Sequence, residues 1–219
     1  MRVLDLYCGV GGASSGYARA GFTVVGVDIA DQPDYPFGFY GGDAIEVVRS
    51  IGGSFDFIHA SPPCQRYTAI TKGTNRRMMR KYPDLMGPTR EALEAVGVPY
   101  VIENPAARAD VVLCGETFGL RVIRHRNFEL GGWRAEEPEH APHRGKVIGM
   151  RHGVRITEET GGYYYAVYGA GGYKGTVPQW QDAMGIKWTD NRKSIAEAIP
   201  PAYTEYIGQQ FNQWRKNHG

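Results

Sequence analysis

A chain of 219 residues, 42% hydrophobic and 22% charged, can bury one good core with at most a small appended lobe. Its formal net charge of +2 is too small by itself to establish a nucleic-acid partner. No apolar run reaches membrane-spanning length, and Met1-Arg2-Val3-Leu4-Asp5-Leu6 is strand-like with no signal-peptide architecture, so the expectation is a cytoplasmic protein with no membrane partner, a monomer by default. Cys8, Cys64 and Cys114 form neither a CxxC pair nor an even set, which fits a reduced compartment. No metal is expected: His140 and His143 lack a matching Cys or His pair in the sequence and read as loop histidines.

The first half alternates short β-rich runs with helical spacing. Strands are predicted over 3–7, 24–28, 55–60 and 100–103, and helices over 14–20, 44–50 and 88–96, which is the pattern of βαβ units around a parallel sheet. Asp5-Leu6-Tyr7-Cys8-Gly9-Val10-Gly11-Gly12 links the first strand to the first helix, a context in which glycines let backbone approach a bound nucleotide. The second strand ends in Val27-Asp28-Ile29, placing a carboxylate where a ribose diol would be gripped. Asp43, followed by Ala44, comes after a third short strand and reads either as a helix cap or as an acceptor for an adenine amine. No Lys-Ser/Thr follows the glycines, so a phosphate-cradling NTPase loop is disfavoured and a nucleoside without a pyrophosphate fits.

The run 55–60 leads into Ser61-Pro62-Pro63-Cys64-Gln65. Two prolines fix φ near −65° and bias their predecessors away from helix, so Cys64 sits in a rigid turn at a strand's carboxyl end, where open α/β sheets place ligands. A lone cysteine is ordinarily a small core hydrophobe; here two later motifs favour a nucleophile. Lys72, Arg76, Arg77, Arg80 and Lys81 follow closely and read either as a solvated helical face or as a phosphate-contacting loop. Downstream stand Val101-Ile102-Glu103-Asn104-Pro105 and Arg124-His125-Arg126. From about 131 to 175 the texture turns to Gly, aromatic and charged residues, indicating a separate loop-rich lobe, and the end, 195–214, returns to helix with Tyr203, Tyr206, Ile207, Gln210, Phe211 and Trp214 on one face, expected to pack back on the sheet.

In this order the motifs resemble those of the DNA cytosine-5 methyltransferases, particularly compact phage-type members. The Asp5 to Gly12 segment resembles the family's first motif, Asp28 its ribose-binding acid and Asp43 its adenine contact; Pro62-Pro63-Cys64-Gln65 resembles the catalytic cysteine motif, Glu103-Asn104 the Glu-Asn motif, and Arg124 with Arg126 the spaced arginine motif. The resemblance implies an α/β fold, a Rossmann-like S-adenosylmethionine-dependent methyltransferase sheet with a small target-recognition lobe. Its implied parts are a catalytic and cofactor-binding domain at 1–130, the lobe at 131–177, and a segment at 178–219 returning to the first domain. It also implies S-adenosyl-L-methionine as cofactor, held by Asp5, Tyr7, Cys8, Gly9, Gly11, Gly12, Asp28, Ile29, Asp43, Ala44, Pro62, Glu197 and Ala198. Double-stranded DNA is the implied partner, with Gln65, Arg66, Lys72, Arg76, Arg77 and Arg80 as contacts. In the lobe, Trp133, Arg134, Arg144, Lys146, Arg151, His152 and Arg155 are candidate groove or backbone contacts. Tyr163, Tyr164, Tyr165 and Tyr168 either stack bases or form the lobe's own core.

The chemistry explains the combination. Cytosine C5 is a poor nucleophile, so a thiolate, here from Cys64, must add at C6 to turn C5 into an enamine carbon able to attack a sulfonium methyl. The charge that develops on the ring needs a proton or strong hydrogen bond at N3, which a carboxyl of raised pKa at Glu103 can give. Asn104 would orient the loop, and Arg126, more loosely Arg124, would hold cytosine O2 or the Glu103 carboxylate with a charge-assisted fork. A target inside a duplex requires base flipping. Near the end, Ala196-Glu197 stands where the family usually has Gly-Asn, before the expected Ala198-Ile199-Pro200-Pro201; this glutamate either pairs with a cationic sulfonium or changes which alkyl donor fits. Two competing functions use the same residues differently: a C5 transferase acting on a free pyrimidine nucleotide, and a non-catalytic DNA-binding relative.

Overall fold

The computed structural model describes residues 1–63, 84–168 and 174–218. Seven strands form one sheet in the order β3-β2-β1-β4-β5-β7-β6: β1 (Arg2–Leu6), β2 (Thr23–Asp28), β3 (Gly38–Gly41), β4 (Phe57–Ala60), β5 (Tyr100–Glu103), β6 (Val111–Leu113) and β7 (Arg126–Gly131). Strands β1 to β5 run parallel, and β7 lies antiparallel between β5 and β6. The near-continuous apolar character of β1 and β4 follows from burial on both faces, with Val3, Leu4, Leu6, Phe57, Ile58 and Ala60 all inaccessible to solvent.

One face is covered by α1 (Gly12–Arg19) and the long carboxyl-terminal α6 (Pro201–His218), the other by α2 (Ala44–Ile51) and α3 (Met86–Val96). The spacing of Tyr203, Ile207 and Phe211 brings them into the first core with Tyr17, Phe22 and Phe57, while Tyr206 and Trp214 pack at its margin and Gln210 reaches the Glu136 amide. Close approach of α6 to α1 requires Gly16, where a Cβ would meet the Pro201 carbonyl and the Thr204 hydroxyl. Thr204 Oγ1 donates to the Ala13 carbonyl at 2.8 Å, tying the two helices at that point.

The predicted carboxyl-terminal helix is divided. Here α5 (Arg192–Glu197) ends at Ala198, and α6 begins at Pro201, because two successive prolines cannot continue the amide ladder. Likewise β4 starts at Phe57 rather than 55, since Gly52–Ser54 form a 3₁₀ turn whose Gly52 carbonyl takes the Phe55 amide. A second sheet of three strands, β10-β8-β9, is built from β8 (Lys146–Arg151), β9 (Val154–Ile156) and β10 (Gly162–Tyr165), and packs with α4 (Val177–Met184) around Trp180 and Met184. Among the described residues no helix is long and apolar enough to cross a membrane.

Candidate active site

The sheet aligns the predicted residues along one edge. Leu6 pairs with Val27 on one side and Ala60 on the other, and Ala60 pairs with Ile102, so the segments following β2, β1, β4 and β5 leave the sheet at the same level. Three strand steps separate β2 from β5, roughly 14 Å between Asp28 and Glu103 at about 4.8 Å per step.

At the glycine end, the chain turns sharply after β1. Tyr7 (φ 59°), Gly9 (φ 49°) and Gly11 (φ 86°) are all left-handed, and Gly9 meets no atom where a Cβ would stand, leaving open space above the turn. Tyr7 is held in this conformation by its hydroxyl, 2.8 Å from Thr89 Oγ1. Asp28 Oδ2 accepts the Gly9 amide at 3.1 Å and Oδ1 the Ala30 amide at 2.9 Å, placing the carboxylate beside the turn; Ile29, 81% exposed, projects next to it. Asp43 is exposed and caps α2, Oδ1 accepting from Ile45 and Glu46; Ala44 is buried in the second core. Cys8 is buried, and burial raises its thiol far above the usual range, so it is no rival nucleophile.

Asp5 is fully buried, contacts the Ser14 hydroxyl, and its Oδ1 has no hydrogen-bond partner among the described residues. Burial pushes its carboxyl from 3.8 to about 7, against the lowering effect of Ser14. A cationic ligand at this turn would supply the missing partner. The open space over Gly9, the Asp28 carboxylate and the exposed Ile29 side chain therefore fit a cationic nucleoside such as S-adenosylmethionine.

The last segment closes over the same turn. Gly12 packs against the Ile199 carbonyl and Ala198, Trp188 Nε1 donates to the Val10 carbonyl at 2.8 Å, and Thr189 Oγ1 donates to Asp34 at 2.6 Å. Glu197 is exposed at the end of α5.

At the other end, Glu103 finishes β5, buried, with Arg126 Nε 3.0 Å from its Oε1. Burial raises the Glu103 carboxyl above the ordinary glutamate range despite the lowering influence of Arg126, Arg124 and a hydrogen bond from Ser61. Asn104 is buried and divided between two duties: Nδ2 donates to the Pro62 carbonyl at 2.8 Å, and Oδ1 accepts from the Ala106 amide at 3.0 Å. Pro62 is thus fastened beside Glu103. Cys64, Gln65, Arg66, Lys72, Arg76, Arg77 and Arg80 lie outside the described residues.

Arg124 stands apart from Arg126. Its guanidinium donates to the Val167 carbonyl at 3.0 Å and to the Ala196 carbonyl, joining the small sheet's exit to the end of α5. Both arginines border a cleft of about 350 Å³ whose other walls include Val122, Tyr165, Val167 and Ala196.

Sequence reasoning missed a buried polar chain behind Glu103. The Tyr17 hydroxyl is 2.9 Å from His59 Nδ1, and His59 Nε2 is 2.7 Å from Ser61 Oγ. Burial pushes His59 down to about 3, so it is neutral, with one donor and one acceptor nitrogen. An ionised Glu103 only accepts, so Ser61 donates to it, His59 Nε2–H donates to Ser61, and Tyr17 donates to Nδ1. A histidine inside the otherwise apolar Phe57-Ile58-His59-Ala60 was the available signal. Tyr35 was also missed: its ring lies 3.0 Å from a Cβ built on Gly11 and its hydroxyl 2.7 Å from Ser14 Oγ, within an alternating Tyr35, Phe37, Phe39 ring cluster.

Trp133, expected in the small lobe, is not a groove contact but part of the large sheet's first core. It is 5% exposed, packs on Phe57 and Phe211, and donates to the Tyr100 carbonyl at 2.9 Å. Tyr164 and Tyr165 are buried, whereas Tyr168 is 56% exposed with Lys174 Nζ 4.0 Å from its ring centre. Arg144 pairs with the buried Glu116, while Arg134, Lys146, His152 and Arg155 are exposed.

No family model and no curated protein matches the sequence. Solved structures do match the fold over nearly the whole chain. A protein described as a DNA modification methyltransferase encoded within an E. coli prophage aligns with a TM-score of 0.64 at 13% identity, covering 99% of this chain and 99% of that one. A Spodoptera frugiperda DNMT2 variant gives 0.61 at 13%, covering 94% and 98%, and the Entamoeba histolytica methyltransferase EhMeth 0.60 at 13%, covering 97% and 98%. The seven-stranded sheet with its antiparallel β7, the covering helices and the small second sheet thus give this chain a methyltransferase fold.

Proposed function

We propose that this chain methylates C5 of cytosine in double-stranded DNA, with S-adenosylmethionine as donor. The observation that carries the reading is the hydrogen bond from Asn104 to the Pro62 carbonyl, which fastens the segment leading to Cys64 beside the buried Glu103–Arg126 pair. Pro62, Glu103 with Asn104, and Arg126, far apart in sequence, meet there, which supports the reading. The fold shared with a DNA modification methyltransferase supports the same substrate class.

In this reading the cofactor is held by the Tyr7–Gly12 turn, Asp5, Asp28, Ile29, Asp43 and the Ala198 segment, and it supplies an electrophilic methyl group. Cys64 adds as thiolate to C6 of the flipped cytosine, and Glu103, protonated more readily than an exposed glutamate, donates at N3. Arg126 forms an ion pair with the Glu103 carboxyl and borders the cleft that would receive the base. C5, made nucleophilic by that addition, would take the methyl group as the sulfonium C–S bond breaks and the donor departs as a neutral thioether; a base then removes the C5 proton, N3 gives its proton back, and the thiolate leaves. Arg124 serves as a clamp between segments rather than as a ligand of the base. Arg66, Lys72, Arg76, Arg77 and Arg80 contact phosphates, each real contact steepening the salt dependence by roughly 0.9 in log-log slope. Target reading falls to the segment 131–177, with Arg134, Lys146, His152, Arg155 and Tyr168 as its exposed candidates.

The test is transfer of tritiated methyl from S-adenosylmethionine to mixed-sequence duplex DNA and, in parallel, to dCMP, with Cys64→Ala as control. Label in DNA that vanishes in Cys64→Ala is expected. Label only in dCMP would replace the DNA reading with a nucleotide one, and turnover by Cys64→Ala would remove the nucleophile.

A further inference from the structure

Outside the site just described, folding gathers four potential metal ligands. Cys114 Sγ and one ring nitrogen each from His125, His140 and His143 lie within 4.8 Å of one another. They come from three places: Cys114 follows β6, His125 precedes β7, and His140 and His143 sit on the 132–145 connection into β8. Cys114 is buried and the three imidazoles are exposed, so the cluster lies at the surface with the sulfur at its floor.

The distances match a metal's coordination shell. Tetrahedral zinc, with Zn–N of about 2.0–2.1 Å and Zn–S of about 2.3 Å, sets its ligand nitrogens about 3.3 Å apart and sulfur and nitrogen about 3.6 Å apart. Here His125 Nε2 and His140 Nε2 are 3.1 Å apart, and Cys114 Sγ and His143 Nε2 are 3.5 Å apart. Ring centres of the three histidines stand 5.1 to 5.5 Å from one another, with His125 and His140 stacked at an interplanar angle of 15°. Only one of two neutral imidazoles facing each other through Nε2 can donate, which satisfies one edge of the cluster but not four converging donor atoms.

We propose that Cys114, His125, His140 and His143 bind one Zn²⁺ as a closed structural site. Three imidazoles and one thiolate suit zinc in ligand type, and four protein donors leave no open position for a substrate. Binding displaces the proton of the Cys114 thiol to solvent. The ion's work is mechanical. Residues 132–145 contain no helix or strand, and a connection of that length without structure of its own is uncommon in a compact domain. Zinc staples it to β6, at the edge of the large sheet, and to His125 between the two motif arginines. It thereby sets where β8 and the small sheet begin.

The experiment measures zinc in the purified full-length chain by plasma mass spectrometry, after incubation with equimolar ZnCl₂ and gel filtration. The comparison is the loop variant His140→Ala/His143→Ala, whose changes fall on exposed side chains and spare the core. About one zinc per wild-type chain is expected, with the double variant reduced at least roughly tenfold. Cobalt substitution should give the ligand-field bands of a tetrahedral ion and a thiolate charge-transfer band that Cys114→Ser abolishes. Wild-type protein emerging with less than about a tenth of an ion per chain, or a double variant retaining a full equivalent, would overturn the site. The readout is metal rather than methyl transfer, so its outcome is independent of the proposed reaction.

Discussion

Asp5 offers a stability signature that follows from burial alone. Its carboxyl is inaccessible to solvent and pushed from 3.8 to about 7. The folded protein therefore holds this proton more tightly than the unfolded chain. The stabilisation is fully present below the unfolded pKa and is lost as pH rises through the folded one. A difference of roughly 3 units at 1.36 kcal/mol per unit amounts to about 4 kcal/mol, lost between about pH 4 and pH 7 and flat above. Asp5→Asn keeps a side chain of the same shape next to Ser14 but cannot ionise. Urea unfolding of both proteins from about pH 5 to about pH 8 isolates the contribution, because other groups cancel in the difference. The variant should gain on the wild type by about 1.4 kcal/mol per pH unit until pH 7, and then hold constant. Parallel curves, with a difference that does not move with pH, would refute the assignment of an uncompensated buried carboxyl. If the bound cofactor's cationic group provides the partner of Oδ1, its affinity should rise with pH over the same window in the wild type and stay flat in Asp5→Asn, which calorimetry would read directly.

Three further outcomes are expected. Asn104→Ala removes a buried side chain making two hydrogen bonds and should cost roughly 2–4 kcal/mol by chemical denaturation. It should also lower kcat more than cofactor affinity, because Pro62 loses its fastening; equal loss in both would make Asn104 a purely structural residue. Ser61→Ala deletes a hydrogen bond that favours ionised Glu103, so the Glu103 pKa should rise further and the alkaline limb of the rate profile should move to higher pH. An unmoved limb would show that Glu103 is not the titrating acid. Gly16→Ala forces a methyl into the Pro201 carbonyl and Thr204, and should lower stability by about 1–3 kcal/mol; an unchanged melting temperature would mean that α6 is not seated on α1 as described.

What was legible in the sequence was mainly what local physics controls. Tyr100–Glu103 forms a strand with the predicted limits because a short apolar run ends at a proline-bound turn, and the Tyr7–Gly12 turn announces itself by its glycines. The sheet order was not legible. Placing the antiparallel β7 between β5 and β6 depends on pairings such as Ile102 with Glu129 and Val112 with Asn127, which no local propensity encodes. The same limit hid Trp133: its texture suggested a loop, whereas Phe57 and Phe211 supply the pocket that buries it. It hid the cluster of potential metal ligands too, since Cys114 comes next to His125 only when β6 pairs with β7, and His140 and His143 join them only as the 132–145 connection folds back.

Arg124, His125 and Arg126 show how one tripeptide joins three parts of the molecule. Only Arg126 lies in β7; Arg124 and His125 belong to the irregular segment leading into it, where each side chain takes its own direction. Arg126 turns to Glu103, His125 to the Cys114 and loop histidines, and Arg124 to the Val167 and Ala196 carbonyls. The Tyr203 hydroxyl, donating to the Arg124 carbonyl at 2.7 Å, anchors the same segment to α6. Through Arg124 and Arg126 the exit of the small sheet and the buried carboxylate are thus joined across one tripeptide. In the proposed reading, the segment assigned to the target and the carboxyl assigned to N3 would then share a single short lever. Loosening the lever, as in Arg124→Ala, should weaken discrimination between targets and slow transfer together, whereas separate effects on the two would show that the small sheet and the Glu103 pocket act independently.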